Sequence, residues 1–277
     1  MSHQKRIISR LDIKNNSLVK GIHLEGLRVL GNPRYFTNKY YYEGIDEIHL
    51  QDVVASLYNR NNLDEVISDT VKNVFVPINV GGGIRSIQDI DRILKLGADK
   101  VTLNSAAVRN PEFIKEATSI YGSSTISIAI EVLKIDKNYK ILIESGRENT
   151  ELALLEWLEI IQKYGAGEII VTSINNEGTK KGFDLDLCNL VKQNSAVPVI
   201  AHGGAGSIDS IIEVFSKTDV DGILIASILH YSYYDNFSNI EEQGNSTFLK
   251  NIQEENNQQL TISVIKDKLK ENGINVR

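Results

Sequence analysis

Short apolar runs rich in β-branched residues recur along this chain, and the longer stretches between them return their apolar positions at helical spacing. That rhythm predicts strands alternating with amphipathic helices. The runs are Arg6–Asp12, Glu47–Asp52, Val76–Val80, Lys100–Asn104, Thr125–Val132, Glu168–Thr172, Val199–His202 and Gly222–Ala226. Helices are expected over Pro33–Tyr42, Leu63–Lys72, Ser86–Leu96, Pro111–Tyr121 and Glu151–Tyr164, from Asp184 onward, and over Thr261–Asn272. Pro33 suits a first helical turn, and Ser86 is an apt N-cap. Lys14 to Asn32 reads as a long polar loop carrying Lys20-Gly21, and loops of that length in a compact domain are usually functional. Leu133–Ser145 reads as an inserted hairpin turning at Asp136-Lys137-Asn138. The stretch Asp235–Gln259, rich in Asn, Gln and Glu, reads as a solvated insertion before the last helix.

The chain also repeats itself. Val80-Gly81-Gly82-Gly83-Ile84-Arg85 has a near-copy in His202-Gly203-Gly204-Ala205-Gly206-Ser207, with Gly82 and Gly203 separated by 121 positions. Ser105 and Ser227 are 122 apart, Asp52 and Thr172 120, and Asp12 and Glu131 119. Equivalences at nearly one offset describe two halves of four strand–helix units each. The expected fold is therefore a single (β/α)8 barrel spanning residues 1–277, built from two duplicated half-barrels, with offset-related residues on opposite walls.

Each glycine run has the form of a phosphate cradle. An apolar strand enters glycines whose missing side chains let backbone N–H groups converge on an anion, and a helix follows with its positive dipole end. Each is followed about twenty residues later by a strand ending in small residues, Asn104-Ser105 in one half and Ala226-Ser227 in the other. Two cradles imply two phosphates on one substrate. Gly82, Gly83, Asn104 and Ser105 would serve one, and Thr172, Gly203, Gly204, Ala226 and Ser227 the other.

Bulk properties narrow the class further. In 277 residues, 42% are hydrophobic, enough for one sizeable core, and the net charge of −6 argues against a nucleic-acid surface or an anionic membrane as the main partner. The one cysteine, Cys188, rules out an internal disulfide. No apolar run approaches a membrane span and the N-terminus lacks the apolar core of a signal peptide, so a cytoplasmic location is expected. Five histidines and one cysteine show no zinc-ligand spacing, and neither metal nor cofactor is expected.

The chain resembles the cyclase subunit of imidazole glycerol phosphate synthase over nearly its whole length apart from 235–259. The matching motifs are Arg6-Ile7-Ile8, Leu11-Asp12-Ile13-Lys14, Val19-Lys20-Gly21, Gly81-Gly82-Gly83-Ile84, Ala98-Asp99-Lys100-Val101, Gly165-Ala166-Gly167-Glu168, Thr172-Ser173-Ile174, Gly178-Thr179-Lys180 and Gly203-Gly204-Ala205-Gly206. The resemblance implies an enzyme that receives ammonia from a glutaminase partner through the barrel. The ammonia cleaves and cyclises a bis-phosphorylated ribulosyl intermediate shared by histidine and purine metabolism. It implies Asp12 and Glu131 as the acid–base pair, with Glu131 one methylene longer than the family's usual aspartate. It further implies Lys20 as a substrate contact, Glu177 in place of another aspartate, Arg6, Glu47, Lys100 and Glu168 as a charged gate for ammonia, and Asp99 at the glutaminase interface.

Strand alternation turns Arg10, His49, Gln51, Asn79, Glu131 and His202 into the barrel, where the family is mostly small or apolar. Two readings stand: a structural network in which Arg10 neutralises Glu131, and a pocket re-shaped for a different acceptor. His230 stands either on a short phosphate-binding helix or at a capped helix end. The first functional reading is the cyclase subunit of a glutamine amidotransferase complex. The second is a paralogue that carries ammonia to another acceptor, such as a surface sugar. The third is a non-catalytic activator of a glutaminase, which would not need the paired cradles.

Overall fold

The computed structural model describes residues 4–55, 63–136, 138–233 and 260–277; the expected 235–259 insertion and Lys137 of the expected hairpin turn lie outside them. The chain runs β1 (Arg6–Lys14), β2 (Ser17–Ile22), β3 (Glu25–Gly31), α1 (Pro33–Tyr42), β4 (Glu47–Asp52), α2 (Asp64–Val71), β5 (Ile78–Gly81), α3 (Ile87–Lys95) and β6 (Lys100–Leu103). It continues through α4 (Ser105–Arg109), α5 (Glu112–Tyr121), β7 (Ile126–Ile135), β8 (Asn138–Ile143), β9 (Glu148–Asn149), α6 (Leu154–Lys163), β10 (Glu168–Ser173) and α7 (Leu185–Gln193). It ends with β11 (Val199–His202), α8 (Ile208–Lys217), β12 (Gly222–Ile225), α9 (Ser227–Ser232) and α10 (Ile262–Glu271).

Parallel pairing in the order β10-β11-β12-β1-β4-β5-β6-β7, with β7 closing back onto β10, makes the eight-stranded barrel expected from the sequence. β1 and β7 stand four strands apart in that ring, so Asp12 and Glu131 do rise from opposite walls. The main apolar core lies between the sheet and its helices, where Ile7, Leu11, Ile48 and Leu50 pack against residues such as Phe36 and Tyr40. Inside the bore, Ile8, Ile170, Ile200 and Leu224 form a separate apolar wall.

The duplication reaches into the caps. Ser86 and Ser207 each accept the N3 backbone N–H, and the N3 side chains, Asp89 and Ser210, reach back to the cap N–H. Such a box satisfies two of the orphan donors at a helix start. Asn104 and Ala226 share an unusual backbone, φ −140° and ψ −98° against φ −130° and ψ −84°. At the bottom of the barrel Asp99 Oδ2 accepts from Ile78 N at 2.8 Å, and Asp221 Oδ2 accepts from Val199 N at 2.8 Å. Asp46 Oδ2 does the same for Ile7 N at 2.7 Å. Asp99 is exposed, yet one of its oxygens already staples the start of a strand.

One expectation fails. Lys14–Asn32 is not a loop, because β2 and β3 form a hairpin whose first strand pairs antiparallel with the end of β1, setting Val19 opposite Asp12. Leu18, Val19 and Leu30 are buried by that pairing. Asn15 and Asn16, at φ 48° and 59°, supply the paired left-handed residues that a tight hairpin turn needs. The sequence reading also missed α4, a short helix directly after the first cradle.

Candidate active site

At the C-terminal mouth, β1 presents Arg10 and Asp12 inward, and Arg10 Nε donates to Asp12 Oδ1 at 2.7 Å. The β2 strand carries Lys20 alongside, with Nζ 3.5 Å from Asp12 Oδ2 and in direct contact with Glu177 Oε1. Glu177 is fixed from its other oxygen by Leu24 N at 3.0 Å. These four side chains are buried and alternate in charge, so the row is internally neutral. Burial alone would raise the Asp12 carboxyl, but the Arg10 guanidinium and Lys20 ammonium hold it well below the usual carboxylate range.

Glu131, at the matching height on β7, meets a different environment. Burial pushes its carboxyl up to about 7; Arg10's charge, the Gly146 N–H at 2.9 Å and the Asn104 side chain pull only partly the other way. Of the two readings for Arg10, the geometry favours neither as stated: its hydrogen bond goes to Asp12, and Glu131 feels only its field.

A cavity of about 60 Å³ opens beside Glu131, walled by Arg10, His49, Gln51, Thr102 and Thr172, and reaching Gly82, Gly83, Asn104 and Ser105. The first cradle and one carboxylate of the pair therefore share one space. Asp12 is not among the lining residues, although Arg10, which holds it, is. Nor are Gly203, Gly204, Ala226 and Ser227. Gly204 instead accepts from Gly182 N at 2.8 Å, and Asn176 Nδ2 donates to Gly182 O at 2.7 Å, so the second cradle packs beneath the loop that holds Glu177. The two cradles still have the same backbone: Gly82 and Gly203 have φ 94° and 98°, and a Cβ on either would strike a carbonyl oxygen, of Asp52 or Ser173.

Sequence reasoning missed the turn between β8 and β9, which folds back over the cavity. Glu144, Ser145 and Gly146 are consecutive left-handed residues, pinned by Arg109 to Glu144 at 2.5 Å and by Glu144 N to Ser105 Oγ at 3.0 Å. His230 lies on α9 as anticipated, fully buried, with Nδ1 2.6 Å from Tyr40 Oη. It is a core residue, not a ligand.

Beneath the mouth, Arg6, Glu47, Lys100 and Glu168 close a ring at the strand starts. Glu47 Oε2 meets Arg6 at 3.2 Å and Lys100 at 2.9 Å, while Glu168 contacts Arg6 directly and Lys100 at 3.6 Å. Each carboxylate thus touches both cations. Between ring and cavity runs a hydrogen-bonded arc, with Ser127 Oγ to Glu168 at 3.4 Å, Asn79 Nδ2 to Ser127 at 3.4 Å and Thr102 Oγ1 to Asn79 at 2.8 Å. Burial keeps His49 neutral, its pKa pushed down to about 4, and likewise holds His202 well below its usual range.

Residues 6–235 match the family described as histidine biosynthesis protein. This chain is 47% identical over 205 residues to the imidazole glycerol phosphate synthase subunit HisF of Legionella pneumophila, covering 74% of this chain and 97% of that protein. It is 44% identical over 227 residues to the HisF subunit of Natranaerobius thermophilus, covering 82% and 90%. The chain belongs to this histidine-biosynthesis family.

Within the family match fall both glycine runs, the ring and every member of the Arg10–Asp12–Lys20–Glu177 row. The family's relatives named above are each called a subunit, the description of a protein that works in a complex. Among the described residues no helix is long and apolar enough to cross a membrane.

Proposed function

We propose that this chain is the ammonia-using cyclase subunit of an imidazole glycerol phosphate synthase. Its substrates are ammonia and a bis-phosphorylated ribulosyl aminoimidazole carboxamide, and its products are imidazole glycerol phosphate and AICAR. The observation that carries this reading is one axis: a closed charged ring, a bore, and then a cavity where Glu131 faces a glycine cradle. A glutaminase docks on the bottom face around the ring and Asp99, and ammonia enters there.

The two carboxylates divide the work because their environments push them apart. Glu131, poised near neutral pH, takes and returns the proton as the C–N bonds break and form, which is the condition for efficient acid–base catalysis. Asp12 stays ionised and, through Arg10 and Lys20, fixes the charge pattern of the mouth. Gly82, Gly83, Asn104 and Ser105 hold one phosphate by backbone and hydroxyl groups. Gly203, Gly204, Ala226 and Ser227 hold the other, with Thr172 between them and Lys20 and Glu177 beside it.

The test is turnover of that intermediate by the purified chain with ammonium chloride as nitrogen source. Asp12→Asn should abolish it, because Arg10 and Lys20 then lose the carboxylate they share in the mouth. Glu131→Asp should preserve or raise it. A second reading, ammonia delivery to a different acceptor, rests on one feature, Glu131 being one methylene longer than the family's usual aspartate. If the unaltered chain and Glu131→Asp are both inert on the histidine-pathway intermediate, that second reading replaces the first.

A further inference from the structure

The cavity beside Glu131 is walled on one side by hydrogen-bond donors that the rest of the protein does not use. Arg10 spends only Nε, on Asp12, and its two terminal nitrogens have no hydrogen-bond partner among the described residues. The residue is nonetheless only 7% exposed, and it lines the cavity. Gln51, another lining residue, accepts at Oε1 from His49 Nε2 at 3.0 Å, and its amide nitrogen is likewise without a partner among the described residues. A glutamine oxygen can only accept, so that bond leaves the NH₂ group as the open end of the side chain. Gly81 makes room for the arrangement, since a Cβ there would lie 2.3 Å from Gln51 Oε1 and 3.3 Å from His49 Nε2.

Strand register brings these donors together. Gln51 is the β4 partner of Asp12, and Arg10 reaches along β1 to the height of Asp12 to make its bond. Neighbouring strands lie ~4.8 Å apart, so the guanidinium and the Gln51 amide stand side by side in the cavity wall. At about 60 Å³ the cavity takes a group of only a few heavy atoms. What fits is an acceptor of that size with no net charge, because Asp12 already balances Arg10 and a further anion would also face Glu131. A carbonyl oxygen is neutral, carries two lone pairs, and matches N–H groups arriving from Arg10 and Gln51 together.

We propose that Arg10 and Gln51 form an oxyanion site, binding the oxygen of the acceptor carbonyl that ammonia attacks. The inference rests on the function proposed above and adds two catalytic residues to it. The lone pair of ammonia forms the C–N bond, the C=O π pair moves onto oxygen against the Arg10 and Gln51 N–H groups, and a proton lost from nitrogen returns to that oxygen. Atoms and charge balance with no co-reactant. Donors already fixed where negative charge develops lower the barrier without reorganising, and one such donor is typically worth ~10²–10³-fold. Glu47, His49 and Gln51 occupy one inward face of β4, so the site lies on the axis leading up from the charged ring, with Glu131 in the same cavity.

The test is calorimetry on the full-length chain with two pairs of phosphorylated ligands, each pair differing at a carbonyl. Ribulose 5-phosphate and ribitol 5-phosphate carry a ketone or an alcohol; N-acetylglucosamine 1-phosphate and glucose 1-phosphate carry an acetamido carbonyl or a hydroxyl. The expected result is ~10–100-fold tighter binding of the ketone than of its alcohol, as for a hydrogen bond to a charged group. Infrared difference spectra with ¹³C at the ketone should show its stretch moving to lower wavenumber on binding, which a purely structural Arg10–Gln51 wall would not cause. Gln51→Leu should cut the affinity ratio several-fold and leave the alcohol's affinity nearly unchanged. Should that variant not fold, Gln51→Glu keeps an acceptor for His49 and carries no amide N–H. A contrast confined to the acetamido pair upholds the carbonyl site and counts against the proposed function in favour of its second reading. A ketone contrast in a chain inert on the histidine-pathway intermediate with ammonium does the same. Equal affinities within both pairs, no binding of any of the four, or a carbonyl band that stays in place overturns the oxyanion site.

Discussion

Arg10 and Asp12, two residues apart on one strand, share a hydrogen bond of 2.7 Å inside the barrel mouth. Alternation puts both on the inward face, and the chain thereby supplies a counter-charge to its own carboxylate before any other element arrives. Lys20, brought in by the β2 hairpin strand, completes the pairing at 3.5 Å. Asp12 is thus committed to the ionised state, whereas Glu131 on the opposite wall is not.

Removing Arg10 therefore leaves a buried carboxylate with a single, distant cation. Arg10→Leu is expected to cost ~3–5 kcal/mol, the usual penalty for breaking a buried pair by deleting one partner. Arg10→Lys should recover little, because a lysine lacks the guanidinium fork that reaches Asp12 from two residues away. Urea denaturation at pH 7 measures both, and equal stability of Arg10→Leu and the unaltered chain would refute the pairing's importance.

Stability should fall in acid through Asp12 and in base through Glu131. Asp12 is held below its ordinary 3.8, so its contribution is complete above that pH and disappears as pH drops below it. Glu131 is displaced the other way, from 4.5 to about 7, so its folded state binds a proton that the unfolded state has already released. Stability is then lost as pH rises between those values. Glu131→Gln, which still accepts from Gly146 N, should match the unaltered chain at pH 4 and exceed it at pH 8 by up to about 3 kcal/mol, one pKa unit being worth ~1.4 kcal/mol. Thermal melts at the two pH values decide it.

The ring at the strand starts predicts a salt-resistant contribution. Lys100→Met leaves Glu47 and Glu168 sharing Arg6 alone, and burial together with the neighbouring Glu168 already raises the Glu47 carboxyl. A loss of ~2–4 kcal/mol is expected, largely unchanged between low and high sodium chloride, since half-buried charges are screened far less than exposed ones. A loss that vanishes in high salt would mark the ring as a surface feature.

The glycines should sort by what a Cβ would meet. Gly26 has φ 66° with nothing nearby, so Gly26→Ala pays only for its backbone, about 1 kcal/mol. Gly204 has φ 105° and its Cβ would lie 1.9 Å from Gly182 O, so Gly204→Ala must displace the loop that holds Glu177. It should cost several-fold more and weaken phosphate-ligand binding measured by calorimetry. Equal costs at both sites would show that the cradle loop is free to move.

Much of this architecture was legible in the residues themselves because its signals are local. Helix caps such as Ser86 and Ser207, the left-handed glycines at 82 and 203, and the strand rhythm each depend on a few neighbours, and their recurrence near one offset was enough to establish the two half-barrels. What only the tertiary structure decided is which inward groups meet. Alternation places Arg10, Asp12, Gln51, Glu131 and His202 on inner faces, but their pairing depends on strand order, register and the height of each strand, which are properties of closure around a ring. The polar segment after β1 looked like a loop because its partner strand is supplied by β1 itself, through a turn of two left-handed asparagines. That pairing carries Lys20 to Asp12, and Glu177 arrives 157 residues later to meet it. The separation of the second cradle from the cavity has the same origin, since the loop that covers Gly204 is anchored by contacts no local pattern encodes.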